Sequence, residues 1–471
     1  MMEAEPKASP VNNLDEAQVL AFKSVMRGSV FEPGDADYDT TRKVYNAMID
    51  RHPRMIAHCA DVADVIASVN LARKTGLLVS VRGGGHGVAG FAVCDDGLMI
   101  DLSGMRGIRV DPEKGTVRVE GGCVWADVDH ATHAFGSAVP SGIVSTTGVA
   151  GLTLGGGHGH LTRHYGLTCD NLISADVVTA DGRFVTASED QNQDLFWGLR
   201  GGGGNFGVVT SFEFKLCPVN TVMGGPVVYT GDKSRDVMEF YRDIISNAPD
   251  NLNAFLGLHN EPPQPFIPGD SPDNPICVIM VCYSGPMENA EEAVRPFREF
   301  GPPDADMIAS IPYPSMQTIL DQLLPFGLQH YWKADFFNEL SDDFINVHLD
   351  YCSRIPTFRS GIHIYPIDGA AHRVGKTDTA FNYRDANFSA NMTAIYPNPE
   401  DTPEMVDWVR SYWSAAHPHS IGAAYVNFLM DEGRDRIKAS YRGNYDQLVE
   451  LKIKYDPDNL FKMNQNIKPT V

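Results

Sequence analysis

The chain has 471 residues, 43% of them hydrophobic and 21% charged, enough apolar material for a large composite core and more than one folding unit. Its formal net charge of −22 speaks against a polyanionic partner, so neither nucleic acid nor an anionic membrane surface is expected to bind. No apolar run approaches the ~20 residues of a membrane-spanning helix, and the opening MMEAEPKASPVNN has neither the basic n-region nor the apolar core of a secretory leader. A cytoplasmic protein is expected, in which the eight scattered cysteines, without a CxxC pair, are mostly reduced and buried.

In chain order, residues 14–50 read as helical, with a short break near 31–35. Residues 61–75 carry apolar residues at helical spacing behind Asp61, and Gly76 stops them. LLVSV at 77–81 is a strand that runs into the glycine loop VRGGGHGVAG at 81–90. LMIDLS at 98–103 is the next strand, and IRVD with TVRVEGG forms a short hairpin. Residues 137–170 are glycine-dense yet keep interspersed Val, Leu and Thr, a pattern of close backbone approach inside ordered structure. LISADVVTADGRFVTAS is a hairpin around its Asp-Gly turn, followed by the helix QDLFWGL and the stretch RGGGGNFGVVTSFEFKL. Between 223 and 422, strand-like runs such as ICVIMVCYS and GIHIYPI alternate with amphipathic helices, predicting an antiparallel sheet with helices on one face. Residues 261–275 read as a Pro-rich, mobile surface loop. A final helix at 444–461 leads to the polar tail NQNIKPT, which returns to the first domain.

Gly202, Gly204 and Gly207 spell GxGxxG, but a helix precedes them and a β-branched run follows. A nicotinamide-binding fingerprint needs the opposite order, strand before and helix after. His158, His160 and His164 have HxHxxxH spacing, which matches no recognised zinc pattern, and no metal is expected. His130 and His133 belong to a helix and are most simply exposed. His86 stands out. A ring inside a run of glycines must point somewhere useful, and an imidazole can be a base, a metal ligand or a covalent nucleophile.

Four segments in order, VRGGGHGVAG, PSGIVSTTGVAGLTLGGGHGHLTRHYGLTCDNL, DLFWGLRGGGGNFGVVTSFEF and NYDQLVELKIKYDPDNLFKMNQNI, together resemble the berberine-bridge-enzyme-like flavoproteins of the vanillyl-alcohol-oxidase superfamily. The resemblance implies an α+β protein. A PCMH-type FAD-binding domain of two α/β subdomains would use residues 1–222 and 423–471. Residues 223–422 would form a substrate domain whose antiparallel sheet, flanked by helices, roofs the flavin.

By the same resemblance, Arg82, Gly83, Gly84, Gly85 and Gly87 would lie along the FAD pyrophosphate, with backbone N–H groups as donors, and His86 would bond covalently to the flavin. Gly142, Val144, Thr147, Gly148 and Gly151 would run beside the pyrophosphate and isoalloxazine, as would Gly155, Gly156, Gly157 and Gly159. Gly207 and Val209 would pass the adenine end, and Tyr425, Asn427 and Asn464 would approach the ring edge. Many relatives add a cysteinyl link, but Val144 occupies that position here, so a single histidyl tether is expected. Thr147 falls at the family's oxygen-access position, where a small side chain favours reaction with O2.

The implied activity is a covalent histidyl-FAD oxidase that takes hydride from a small alcohol, amine or sugar and passes electrons to O2, giving hydrogen peroxide. A flavin dehydrogenase with another acceptor, and a flavin oxygenase or cyclase of secondary metabolism, are the alternatives. Candidate bases are Tyr425, His158 and His363. His363 shares a strand face with Tyr365.

Overall fold

The computed structural model describes residues 14–267 and 273–469. Residues 1–13, on which the expectation about a secretory leader falls, lie outside this range, as does the middle of the Pro-rich loop. No helix among the described residues is long and apolar enough to cross a membrane.

The first sheet has four strands, in the order Ser29–Phe31, Met55–His58, Leu98–Asp101 and Val79–Arg82. The first pair is antiparallel and the other two pairings are parallel. Its crossover helix, Val62–Thr75, forms as its sequence predicts. The Asp61 side chain accepts from the Ala63 and Asp64 N–H groups, and Gly76 ends the helix at φ 71°, a left-handed conformation natural to glycine.

The helical expectation for residues 14–50 holds only in part. Helices span Glu16–Val25 and Tyr38–Thr41, while Ser29–Phe31 is a strand. Gly28 brings the chain against the sheet, where a Cβ would lie 3.0 Å from the Ala60 nitrogen, and the Asp64 carboxylate accepts from the Gly28 N–H at 2.8 Å. A three-residue edge strand owes its existence to that pairing and leaves no periodicity of its own.

The second sheet is antiparallel, in the order Ile108–Asp111, Thr116–Glu120, Val208–Lys215, Leu172–Val178 and Phe184–Ser188, and it contains both predicted hairpins. The C-terminal helix Tyr445–Tyr455 packs into this core through Leu448, Val449 and Leu451. The tail follows: Asn464 Nδ2 donates to Gly204 O, and Ile467 N to Asn205 Oδ1.

The third sheet is eight-stranded and antiparallel, with Leu252–Asn260, Gly361–Pro366 and Phe388–Tyr396 adjacent near its centre. Alternation along these strands divides its two faces. Leu256, Leu258, Ile362 and Ile364 pack against Val237, Tyr241, Phe344 and Tyr412 of the covering helices. Phe255, Gly257, His259, His363 and Tyr365 point the other way. The loop at 261–275 departs from a simple surface loop at its base. Glu261 is buried there, and its carboxylate accepts from the N–H groups of Phe266 and Ile267. His130 is exposed as expected, but His133 is half-buried on its helix.

Candidate active site

A cavity of about 330 Å³ runs between the third sheet and the first two, bounded by the glycine loops. The strand Val79–Arg82 delivers the loop 83–87 to its wall. Gly84 and Gly148 meet there backbone to backbone: a Cβ on Gly84 would lie 2.5 Å from Gly148 Cα and 2.6 Å from its nitrogen. That contact joins the GGGHG loop to the GIVSTTG loop. Gly87, Gly151 and Gly204 also line the cavity, and a Cβ on any of them would meet no protein atom. Their missing side chains leave free space over bare backbone, a cradle suited to a phosphate-bearing group.

His86 forms part of the wall. Its Nε2 is buried and has no protein partner, and its ring stacks on Tyr45 with centroids 3.7 Å apart and planes 15° apart. Burial lowers its pKa to about 4, so at neutral pH the ring holds a free lone pair. An orphaned, neutral imidazole beside an open glycine cradle fits an FAD held both by its phosphates and by a side-chain bond.

Most predicted cofactor residues line this one cavity: His86, Gly83, Gly84, Gly85, Gly87, Gly142, Val144, Thr147, Gly148, Gly151, Gly207, Val209, Asn427 and Asn464. Arg82 does not. Strand alternation turns Val81 to the cavity and Arg82 away. Arg82 instead pairs with the buried Asp101, Nε to Oδ1 at 2.8 Å and Nη2 to Oδ2 at 2.6 Å, and His58 Nδ1 reaches the same carboxylate at 2.7 Å. Burial alone would raise the Asp101 pKa, but the bonds from His58 and Arg82 hold it well below the ordinary carboxylate range.

Gly155, Gly156, Gly157 and Gly159 also stand behind the wall. They allow close packing against protein: a Cβ would lie 2.5 Å from the Asn427 amide at Gly155, 2.9 Å from the Phe381 ring at Gly156, 2.5 Å from Thr168 Cβ at Gly157, and 2.6 Å from Gly142 O at Gly159.

The three proposed bases all line the cavity. The Tyr425 hydroxyl accepts from Gly157 N–H at 2.8 Å and from Asn427 Nδ2 at 2.7 Å. Burial pushes its pKa above the ordinary phenol value. It holds the turn that carries His158, and as a base it would lose its proton against that shift. Tyr425→Phe is expected to leave the Gly157 N–H without an acceptor and to cost about 1–3 kcal/mol, measured by denaturant unfolding. His158 stands 4.5 Å from Tyr425 and 5.0 Å from Tyr365, ring to ring, with both nitrogens unpartnered and its pKa lowered by burial to about 3.

His160 packs near Phe255, and His164 Nδ1 bonds Ser284 Oγ at 2.9 Å, so the three histidines of this segment enter separate environments. Among the described residues no group is placed to hold a metal ion. All eight cysteines are free and buried.

Sequence reasoning missed Tyr45, Trp332, Asn391 and Tyr441 in the lining, and His259 behind it. For His259 a signal exists: Gly257-Leu258-His259 repeats the pattern of Gly361-Ile362-His363.

Two matched families coincide with these elements. Residues 53–188 match the family described as FAD binding domain, and residues 424–468 match the one described as Berberine and berberine like. An FAD-linked oxidoreductase of Dictyostelium discoideum is 33% identical over 99% of both chains.

The chain belongs to the berberine-bridge-enzyme-like FAD-linked oxidoreductases.

Another member of this family, the (R)-6-hydroxynicotine oxidase of Paenarthrobacter nicotinovorans, is 28% identical, with 96% of this chain and 98% of that protein covered. The crystal structure of 6-hydroxy-D-nicotine oxidase from Arthrobacter nicotinovorans superposes with a TM-score of 0.86 at 24% identity, covering 94% of this chain and 98% of that one, which places the fold in the PCMH-type class. The chain is therefore an FAD-dependent oxidoreductase. The glycine cradle and the cavity are elements of its flavoprotein fold.

Proposed function

We propose that this enzyme is a histidyl-FAD oxidase, tethered through His86 alone, that oxidises a small neutral alcohol with an aromatic or apolar body and gives its electrons to O2. The observation that carries the reading is the buried His86 ring, neutral and with Nε2 unpartnered, in the wall of a glycine-cradled cavity. A neutral imidazole is the nucleophilic form, and the Tyr45 stack fixes its plane. Val144, in the same wall, has no atom that could form a second tether. Bound flavin supplies the two-electron acceptor that side chains lack. Thr147 lines the cavity with a small side chain, which supports access by O2.

The lining supports a neutral substrate. Among the described residues it includes no Asp, Glu, Lys or Arg. A substrate ammonium or carboxylate would lose its water without gaining a counter-charge, at several kcal/mol. His158, Trp332, Tyr365 and Phe428 instead offer ring faces and edges, while Asn391 and Thr393 offer a few polar atoms. The similarity to a hydroxynicotine oxidase supports a ring-bearing substrate.

The test is anaerobic bleaching of the flavin by benzyl alcohol, benzylamine and benzyl-type acids, followed by admission of air. Bleaching by the alcohol alone, with reoxidation in seconds and stoichiometric hydrogen peroxide, is expected. Reoxidation over minutes would make the enzyme a dehydrogenase, and a product bearing an added oxygen atom would make it an oxygenase. Preference for the charged compounds would overturn the neutral-substrate reading.

A further inference from the structure

Two histidines on neighbouring strands of the roof form a hydrogen-bonded pair. His363 Nε2 and His259 Nε2 are 2.9 Å apart, and His259 Nδ1 lies 3.0 Å from Ser360 O. The pair rests on a two-fold arrangement of the sheet. Gly257 pairs with His363 and Leu258 with Ile362 in antiparallel register, which sets His259 opposite Gly361. Leu258 and Ile362 point into the helix-covered core, so both imidazoles stand on the cavity face. Each lies over the other strand's glycine. A Cβ on Gly257 would stand 3.4 Å from His363 Cδ2 and 3.0 Å from His259 Nε2, and one on Gly361 would stand 2.7 Å from His259 Nδ1. The two missing side chains are what let the His259 ring fit.

The hydrogen bonds fix where the protons are. A carbonyl oxygen only accepts, so His259 Nδ1 carries its hydrogen and donates to Ser360 O. In a neutral His259 the Nε2 is then bare and must accept, so His363 Nε2 carries a hydrogen and donates. A neutral His363 is left with a bare Nδ1. That nitrogen has no protein partner among the described residues, and the ring lines the cavity. Burial favours the neutral form of both rings, lowering the His259 pKa to about 4 and that of His363 well below its ordinary value, the latter also through the His259 neighbour. Phe255 and Tyr365 flank His363 with ring centroids 5.8 Å away, and Asn391 is its neighbour on the next strand. None of these carries a charge at neutral pH.

We propose that His363 Nδ1 is the base that takes the substrate hydroxyl proton, and that His259 is the positioning residue that fixes its tautomer and shares the resulting charge. The assignment rests on the alcohol-oxidising reading of the cavity. The substrate O–H bond breaks towards Nδ1 and an N–H bond forms. FAD, when bound, would supply the acceptor for the hydrogen and electron pair of the adjoining C–H bond, which leaves a carbonyl. As Nδ1 gains its proton, the hydrogen on His363 Nε2 can pass to His259 Nε2. The positive charge then spreads over two rings, with Ser360 O accepting at the far end, which offsets the cost of charging a buried imidazole.

The test uses FAD-bound full-length protein labelled with ¹⁵N-histidine, read by long-range nitrogen–proton NMR at pH 7.5. His363→Gln and His259→Gln assign the two rings. The expected pattern is a bare Nδ1 and protonated Nε2 on His363, and the reverse on His259. A proton on His363 Nδ1 overturns the proposal whatever the enzyme oxidises, because this readout needs no substrate. His259→Phe removes the acceptor, and His363 is expected to become a mixture of tautomers. His259→Gln places a carbonyl oxygen near the lost Nε2 and is expected to restore one tautomer. A single unchanged tautomer in the Phe variant refutes the role of His259.

Anaerobic bleaching by benzyl alcohol gives the second readout. His363→Gln is expected to slow it by ~10²–10⁴-fold. His259→Phe should slow it by about tenfold, with most of the loss recovered in His259→Gln. Equal rates in the Phe and Gln variants would make His259 a packing residue only. The expected nitrogen pattern with no bleaching by any alcohol would count against the functional reading instead.

Discussion

Gly148→Ala is expected to yield protein that has lost most of its FAD. The new methyl would lie 2.7 Å from Gly84 Cα and closer still to the Gly84 nitrogen, so backbone rather than a flexible side chain must move. Gly148 itself sits at φ −67°, an ordinary conformation, so the effect comes from the lost contact between loops and not from local strain. Pushing the two loops apart displaces both walls of the cradle at once and shifts His86, two residues beyond Gly84. Overpacking of this kind typically costs ~1–3 kcal/mol, and each ~1.4 kcal/mol of lost binding energy is a factor of ten in affinity. The flavin-to-protein absorbance ratio of purified protein measures the outcome, with thermal unfolding of the apoprotein as control. Gly151→Ala supplies the contrast. Its Cβ meets no protein atom, so it should preserve the fold and act only through the volume it takes from the cavity.

The second large effect concerns pH. Asp129 is buried on the helix Trp125–His133, and neither carboxylate oxygen has a partner. Burial raises its pKa to about 8, with a smaller push from Asp321 and an opposing pull from the Gln317 amide. The sign follows from linkage. The folded-state pKa lies above the unfolded value of ~3.9, so the folded protein keeps a proton that the unfolded chain releases across this window. Its contribution to stability is present below pH ~4 and falls as pH rises towards about 8, by at most ~1.4 kcal/mol per unit. Asp129→Asn keeps the shape and removes the titration. The difference in melting temperature between variant and parent is expected to grow in the variant's favour from pH 5 to pH 8. A constant difference, or one of opposite sign, would mean that Asp129 is charged in the fold.

The elements legible in the sequence were those with local chemistry. Asp61 and Gly76 mark both ends of a helix, the Asp-Gly turn marks a hairpin, and a helix before the GxGxxG with a strand after it argued against a nicotinamide fold. The cavity was legible where glycine has no other use, at Gly87 and Gly151. Elsewhere glycine was ambiguous, because the backbone approach it permits can serve protein as well as ligand. Gly155, Gly156, Gly157 and Gly159 took the protein side. Arg82 was carried in with its motif by the family resemblance, and strand alternation turns its side chain to Asp101 instead. Tyr45 and His259 were missed for another reason. Each acts on a histidine far along the chain, His86 and His363, and only the folded backbone brings them together. The Gly-x-His repeat on two strands becomes meaningful once their register is known.

The central claim is that His86 alone ties FAD to this protein. It is tested by precipitating purified protein with acid and asking where the yellow colour goes, in the parent, in His86→Ala and in Val144→Ala. Colour retained in the pellets of the parent and Val144→Ala, and washed out of His86→Ala, is the predicted result. Colour that washes out of the parent, or that stays with His86→Ala, would contradict it.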